Sequence, residues 1–471
     1  MKISISNLGI IDKATIDLKP LTVFIGENAT GKTWTAYALA AILGSYGYEK
    51  YLEAYLNRKT QQTYPPLDNA IKQLLDEGNA QIDMVQFAND YAETYINDVA
   101  GFAPNWMPVF MATRRVSFDN LQVYVHLASA KAALLDKITA TIVDKKLSFG
   151  SQSKDALINA FKEAGQATLY FYSEGEILKK LPERAVKQFV SVQLFKTIHR
   201  SFYSEVYTFP TERTTFTTFP FAVEPASTSL EATFKKAEKS EIERGKTGLV
   251  EPVKDFLRLI ITAALKSPTE RKQQITDNPK IADYVKLAEF LETEILRGNV
   301  YFDTSGLQKE LLFQANENTK LEIPIASSMI KELVPLVLYL RYLAEPNDWI
   351  IIDEPEMNLH PAVQVELAEF LAMLVNAGLH VLITTHSPYI VDHLANLMQA
   401  AKHVNKEDIK EHFYLERTDA FIPQKQVSIY LFEDGTAKNI VDEKGIIDWS
   451  TFGNVSSDVS DIYPQVFTIT D

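Results

Sequence analysis

The chain has no cysteine in 471 residues. Disulfide frameworks, thiolate zinc sites and cysteine nucleophiles are therefore excluded. Long apolar runs are missing as well. Leu257–Leu265 and Leu333–Leu340, the longest patches, fall far short of the roughly 20 residues that span a bilayer. The opening Met1-Lys2-Ile3-Ser4-Ile5-Ser6-Asn7 lacks the extended apolar core of a secretory signal, so the sequence predicts a cytoplasmic protein with no membrane segment. Basic residues are in deficit, with 47 Lys and Arg against 61 Asp and Glu and a net charge of −14. That balance does not indicate a surface that grips nucleic acid, which relies on a basic footprint. Local basic groups do exist. Lys179-Lys180 with Arg184 and Lys187 is a candidate contact for a partner or for nucleic acid. Lys235-Lys236 through Arg244 and Lys246 is interleaved with Glu238, Glu241 and Glu243, the pattern of a solvated helix face. No segment sustains heptads, which excludes a long coiled coil, and no internal repeat is visible.

What the chain does have is a phosphate loop. Gly26-Glu27-Asn28-Ala29-Thr30-Gly31-Lys32-Thr33 fits G-x-x-x-x-G-K-[ST] at every fixed position and follows Leu21-Thr22-Val23-Phe24-Ile25, which reads as a buried strand. The glycines let the backbone curl so that successive N–H groups point at a polyphosphate. Lys32 then reaches the β- and γ-phosphates, and Thr33 offers its hydroxyl to Mg²⁺. A helix beginning near Trp34 turns its positive end toward the anion. These nine residues are the nucleotide-binding candidates, with ATP and Mg²⁺ as the ligands.

Two further segments complete the constellation. Trp349-Ile350-Ile351-Ile352-Asp353-Glu354 is an apolar strand ending in two carboxylates. In phosphate-loop enzymes the first carboxylate holds the metal and the next can polarise the attacking water, so Asp353 is a metal candidate and Glu354 a catalytic one. A solvated carboxylate pair at a strand end is the plainer alternative. Next, Pro361–Val375 carries Val363, Leu367, Phe370, Leu371 and Leu374 on one helical stripe, with Pro361 suited to the first turn and Gly378 to the stop. The strand His380–Thr385 follows. A strand–helix–strand crossover makes neighbouring parallel strands, which puts His386 beside Glu354 as a γ-phosphate contact.

Here the residues carry a resemblance. Asp353-Glu354-Pro355-Glu356-Met357-Asn358-Leu359-His360-Pro361, followed by Thr384-Thr385-His386-Ser387-Pro388, resembles the ATP-binding cassette ATPases of the SMC, RecF and OLD type. More narrowly it resembles the bacterial AAA family ATPases of anti-phage defence operons and abortive-infection loci. The resemblance implies an α/β phosphate-loop fold, an ABC-type head with a mixed or parallel sheet plus an inserted, mainly helical lobe. It implies a homodimer or higher homo-oligomer closing around ATP, and a separately encoded effector, a nuclease or toxin, under its control. The alternative is a RecF- or SMC-like repair ATPase that clamps DNA directly. Relatives carry an L-S-G-G-Q-like signature whose serine and helix start cap the γ-phosphate of the partner subunit. Ala326-Ser327-Ser328-Met329-Ile330-Lys331-Glu332 stands in that place, keeping serines but lacking glycines. Ser327 and Ser328 are thus nucleotide-binding candidates toward a partner chain, and Pro335 predicts a kink or a later helix start. Pro210-Thr211-Glu212-Arg213 resembles the P-x-E-R segment of these ATPases. Arg213 then touches phosphate or a partner, or forms a surface ion pair with Glu212.

The remaining organisation reads as 1–47 for the first half of the head, 48–205 for the lobe and 206–298 for a return segment. Residues 299–400 form the second half, and 401–471 a small strand-rich cap. Helical spacing is read at Tyr48–Leu56, Asn69–Glu77, Gln81–Asn97, Tyr124–Val143, Lys154–Gly165, Leu230–Arg244, Pro252–Leu265 and Ile281–Leu296. A strand pair is read at Val300–Asp303 and Glu310–Phe313, and short strands at His412–Leu415 and Val427–Phe432. The tail's Asp434, Asp442 and Glu443 lack the spacing of a two-metal nuclease site.

Overall fold

A computed structural model describes residues 1–148, 157–173, 181–218, 248–303 and 309–447. The segment Leu230–Arg244, the pair Lys179-Lys180 and the group from Lys235 to Lys246 lie outside these. The chain divides into two compact units, Met1–Asp17 with Tyr37–Val206, and Leu18–Ala36 with the residues from Tyr207 onward.

In the first unit Lys2–Leu8 and Ile11–Asp17 form an antiparallel hairpin, and Gln122–His126 pairs with the free side of Lys2–Leu8. Asn97 fixes that added strand by donating to Val125 O at 2.9 Å and accepting from Val125 N at 2.7 Å. A second antiparallel sheet runs Asn79–Asp83, Thr168–Tyr172, Ile158–Lys162, Val143–Leu147. Its residues alternate: Ala80, Ile82, Leu169, Phe171, Ile158 and Ala160 are buried, while Gln81, Tyr170 and Phe161 face outward. The sequence reading gave helix to Gln81–Asn97, Tyr124–Val143 and Lys154–Gly165. Strands occupy part of each, because their β-branched and aromatic residues bury every second position rather than every third or fourth. The lobe is helical, with Ser45–Leu56, Pro65–Glu77, Met84–Gly101, Lys131–Ala140 and Glu183–Phe202, but it also carries this four-stranded sheet. Its helices meet on an aromatic core in which Tyr95 stacks on Phe195 at 5.1 Å between ring centroids. Lys162 is fully buried within its strand, and burial lowers its pKa. Its ammonium donates to the carbonyls of Thr139, Thr141 and Glu163 at 3.0, 2.8 and 3.2 Å, where the helix Lys131–Ala140 ends and leaves acceptors unsatisfied.

The second unit holds the candidate site. Its sheet runs Thr436–Asn439, Val427–Glu433, Leu21–Gly26, His380–Thr385, Trp349–Asp353, Val206–Phe209. Leu21–Gly26 is parallel to both of its neighbours, and Trp349–Asp353 is parallel to His380–Thr385. Thr436–Asn439 returns antiparallel, so the sheet is mixed and the class is α/β. Central strands buried on both faces are near-continuously apolar, as Leu21–Gly26 is but for Thr22 and Trp349–Asp353 is up to its terminal carboxylate. The segment Val427–Glu433, read from sequence as part of a small cap, lies inside this sheet against the phosphate-loop strand. His412–Leu415 is not a strand; Lys410–His412 is a short 3-10 turn.

Helices pack on the sheet with sequence-encoded starts. Ser387 caps Pro388–Ala400 by accepting from Ile390 N at 3.2 Å, and Ser267 with Glu270 forms a reciprocal capping box on Pro268–Asp277. Ile281–Phe290 passes into a π-helical turn at Leu291–Leu296. The helix Ser328–Tyr342 is continuous through Pro335, so the proline marks neither a late start nor an end. A three-stranded antiparallel sheet, Asn299–Asp303, Glu310–Asn316 and Thr319–Glu322, leads into it.

Candidate nucleotide site

Register decides which side chains meet. Asp353 pairs with Thr384, and Ile25 pairs with Thr385 on the other side of the same strand. The residues that follow, Gly26, Glu354 and His386, therefore emerge together at the carboxyl ends of three adjacent parallel strands. That edge is where open α/β sheets bind ligands.

The loop geometry requires its glycines. Gly26 has φ +149° and Gly31 φ +94°, conformations that disfavour a side chain. At Gly26 an added Cβ would lie 2.3 Å from Phe432 O, since Phe432 is its partner on the neighbouring strand. Ala29 also takes positive φ, and the Thr30 hydroxyl donates to Glu27 O at 2.9 Å, closing the loop upon itself. The helix begins at Lys32, slightly ahead of the expected Trp34.

Lys32 is only 5% exposed and folds back so that Nζ donates to Gly26 O at 2.9 Å and Glu27 O at 2.7 Å. Burial pulls its pKa down to about 8, against the opposing pull of the Glu354, Asp353 and Glu356 charges. A single buried cation inside a curled loop of backbone is suited to a polyanion, whose charge would relieve that burial.

Asp353, 1% exposed, gathers three hydroxyls: Thr33 at 2.9 Å and Thr384 at 2.5 Å on Oδ1, and Thr211 at 2.6 Å on Oδ2. The Thr33–Asp353 pair is a hard oxygen donor set, and it fits Mg²⁺. That ion binds through one or two carboxylates and keeps phosphate and water oxygens for the rest. Among the described residues no group of three or more His, Cys, Asp or Glu forms a metal cage, as such a site requires none.

Glu354 sits in the left-handed region at φ +49°. Its N–H donates to Thr384 O and Thr384 Oγ1, both at 3.1 Å, and its carboxylate Oε1 lies 3.4 Å from His386 Nε2. The hydrogen bond from His386 holds its pKa below the ordinary carboxylate range. The charges of His386, Lys32 and Arg213 add to this and burial opposes it. An ionised, half-buried carboxylate at the mouth of a phosphate loop can accept a proton from water. Glu356 differs. Burial raises its pKa, and Oε1 is occupied by His386 N at 2.6 Å and Thr385 Oγ1 at 2.8 Å.

Sequence reasoning misplaced Arg213. It is 2% exposed and makes no surface pair with Glu212; its guanidinium is spent on Glu332 and on backbone carbonyls of the carboxylate strand. The P-x-E-R motif was the available signal, and only burial reveals what it holds. Thr211 and Thr384, both on Asp353, were also missed. Ser327 and Ser328 are exposed at their helix start, where the Ser327 hydroxyl accepts from Ile330 N at 3.4 Å.

The profile of the AAA ATPase domain family matches residues 1–391. The chain belongs to the AAA ATPase domain family. No curated protein matches it. Among solved structures it is similar to an Smc head bound to the C-winged helix domain of ScpA, at 10% identity and a TM-score of 0.36 over 93% of this chain and 96% of that one. It is also similar to an Smc head domain with an extended coiled coil from Pyrococcus furiosus, at 9% identity and a TM-score of 0.34 over 98% of each chain. A third is an SMC head domain from Thermotoga maritima, at 9% identity and a TM-score of 0.31 over 93% and 97%. No described helix of the chain is long and apolar enough to cross a membrane.

Proposed function

We propose that the chain binds ATP with Mg²⁺ and hydrolyses it, using the hydrolytic cycle as a switch. The observation that carries this reading is the convergence of Lys32, Thr33, Asp353, Glu354 and His386 at one sheet edge. The loop amides and Lys32 receive the β- and γ-phosphates, and Thr33 with Asp353 holds the metal. The bound metal supplies charge neutralisation across the phosphate oxygens. Glu354 orients water and accepts its proton, and His386 donates toward the γ-phosphate while keeping Glu354 ionised. Ser327 and Ser328, at a helix start, face the nucleotide of a second copy, so that hydrolysis requires a homodimer or higher oligomer.

In the cell this ATPase is the sensor or regulatory subunit of an anti-phage defence system that controls a separate nuclease or toxin. The D-E-P-E-x-x-L-H-P string from Asp353 to Pro361 supports that reading, and the acidic net charge of −14 favours it over direct DNA clamping. Glu354→Gln should still bind ATP yet turn over about 10²–10⁴-fold more slowly, the usual share of a general base. Wild-type phosphate release from that variant would remove Glu354 from the role. Mixing Lys32→Ala with Ser327→Arg protein should restore part of the activity each lacks, because a mixed two-fold dimer contains one undamaged composite site. Full activity in a strictly monomeric preparation would refute the composite site. For the cellular role, phage plaque counts should fall when the gene is expressed with its neighbours and recover with Glu354→Gln. Sensitisation to DNA damage without any effect on plaques would favour the DNA-clamping alternative.

A further inference from the structure

We propose that Arg213 and Glu332 form a buried positioning pair that fixes the backbone of Glu354 and ties it to the Ser327-capped helix. The inference rests on Glu354 being the hydrolytic base and names what holds it in place. Arg213 Nη1 donates to Asp353 O at 2.6 Å and Pro210 O at 3.1 Å, and Nη2 donates to Glu354 O at 2.7 Å. Its Nε lies 2.5 Å from Glu332 Oε2. One planar fork therefore grips the carbonyls of both strand-end carboxylate residues, which a lysine's single ammonium cannot do.

Glu332 holds the far side of the same turn. Its Oε1 accepts from Asn358 Nδ2 at 2.9 Å and Thr214 Oγ1 at 3.0 Å. Asn358 closes the turn that Glu354 opens, and both residues sit at positive φ, +60° and +49°. Left-handed backbone at two non-glycine residues persists only where the surroundings over-determine it. Here Thr384 holds the Glu354 N–H, Arg213 holds its C=O, and Glu332 anchors Arg213 and Asn358 together. Both members of the pair are 2% exposed, so water does not compete for these donors.

The pair also has a direction. Glu332 lies one turn into the helix whose start carries Ser327 and Ser328. A displacement of that helix start passes through Glu332 and Arg213 to the Glu354 carbonyl, without any contact through solvent. Closure of a second copy's nucleotide on Ser327 and Ser328 would thereby set the position of this chain's own base. Arg213 and Glu332 touch no reacting atom; they act through Glu354.

The test is the full-length chain carrying Arg213→Lys, with Glu332→Gln as the milder variant that keeps the side chain's shape and an acceptor for Asn358 and Thr214. Two readouts are taken together: affinity for a fluorescent ATP analogue with Mg²⁺, and kcat. Arg213→Lys keeps the charge but loses the fork, so kcat should fall about tenfold to a hundredfold, the scale of a 1 Å misplacement. Affinity should stay within about twofold, because the phosphate loop is untouched. Glu332→Gln should reduce kcat in the same direction, again with affinity retained. A merely structural pair would lower affinity and kcat in step, and that outcome overturns the proposal. So does a folded Arg213→Lys with wild-type kcat while Glu354→Gln is inactive. If Arg213→Lys does not fold, Glu332→Gln decides by the same readouts. A wild-type chain that does not hydrolyse ATP overturns the ATPase reading and this inference with it, whereas a fully active Glu354→Gln leaves the ATPase reading standing and overturns this inference by removing Glu354 as the base.

Discussion

Lys32→Met should make the nucleotide-free protein more stable at neutral pH while abolishing its response to ATP. Lys32 is nearly buried, its ordinary pKa of 10.5 is pulled down to about 8, and burial is the largest cause. At 1.36 kcal/mol for each tenfold change in proton affinity, carrying the charge at pH 7 costs the folded state about 3 kcal/mol. Methionine removes that cost but loses the hydrogen bonds to Gly26 O and Glu27 O, each of which contributes about 1 kcal/mol net. The balance is a gain of about 1 kcal/mol at pH 7. The pH dependence follows from the lowered folded-state pKa. Below about 8 both folded and unfolded wild type carry the proton and the cost is complete. Between about 8 and 10.5 the unfolded chain binds more protons than the folded one, so wild-type stability rises with pH. By pH 9.5 about 2 kcal/mol of the cost is relieved and the variant should be the less stable of the two. Urea unfolding of both proteins at pH 7 and 9.5 measures this as a change of midpoint at constant slope. Added ATP and Mg²⁺ should then raise the wild-type midpoint only. A variant less stable than wild type at pH 7, or a difference that does not change with pH, would refute the reasoning.

Two further outcomes can be measured with the same equipment. Gly26→Ala places a Cβ 2.3 Å from Phe432 O at φ +149°; the strained backbone alone costs about 1–3 kcal/mol, and the Val427–Glu433 strand must also shift, so both urea midpoint and ATP affinity should fall. A midpoint equal to wild type would show that the strand yields freely. Glu369→Ala should cost about 3–5 kcal/mol, because this fully buried carboxylate accepts from Tyr414 N and Leu415 N, both at 2.8 Å, and from His393 Nε2 at 2.7 Å. Hydrogen exchange at the Tyr414 and Leu415 amides should accelerate most; uniform acceleration across the unit would instead indicate a global effect.

The site was legible because its chemistry is local. Gly26 to Thr33, Asp353-Glu354 and His386 each end an apolar strand, and a parallel crossover leaves few ways to arrange three such strands. The less legible parts depend on long-range pairing. Val427-Ser428-Ile429-Tyr430-Leu431-Phe432 is apolar but for Ser428, the mark of a central strand, yet nothing in the run names Leu21–Gly26 as its partner. The lobe's sheet was read as helix because segments such as Gln81–Asn97 contain both periods, a short alternating strand followed by a genuine helix at Met84–Gly101. Burial of an arginine is the least legible feature of all. Sequence offers Arg213 a phosphate, a partner chain or a surface pair with Glu212, whereas the buried Glu332 and the strand-end carbonyls that it meets are what make its burial tolerable.

That same polar bookkeeping distinguishes the two glutamates of the Asp353–Glu356 stretch. A general base needs an ionised carboxylate with an oxygen open to water, and Glu354 meets both conditions, with its pKa lowered and its side chain half-buried. Glu356 meets neither. One oxygen is committed to the His386 amide and the Thr385 hydroxyl, the other is buried, and burial favours its protonated form. To serve as a substitute base, Glu356 would have to release the turn that presents His386, and so lose the neighbour that keeps Glu354 charged. Differing burial and partners thus suit these two neighbouring carboxylates to different tasks, Glu354 to accepting a proton in the proposed hydrolysis and Glu356 to holding the His386 amide in place.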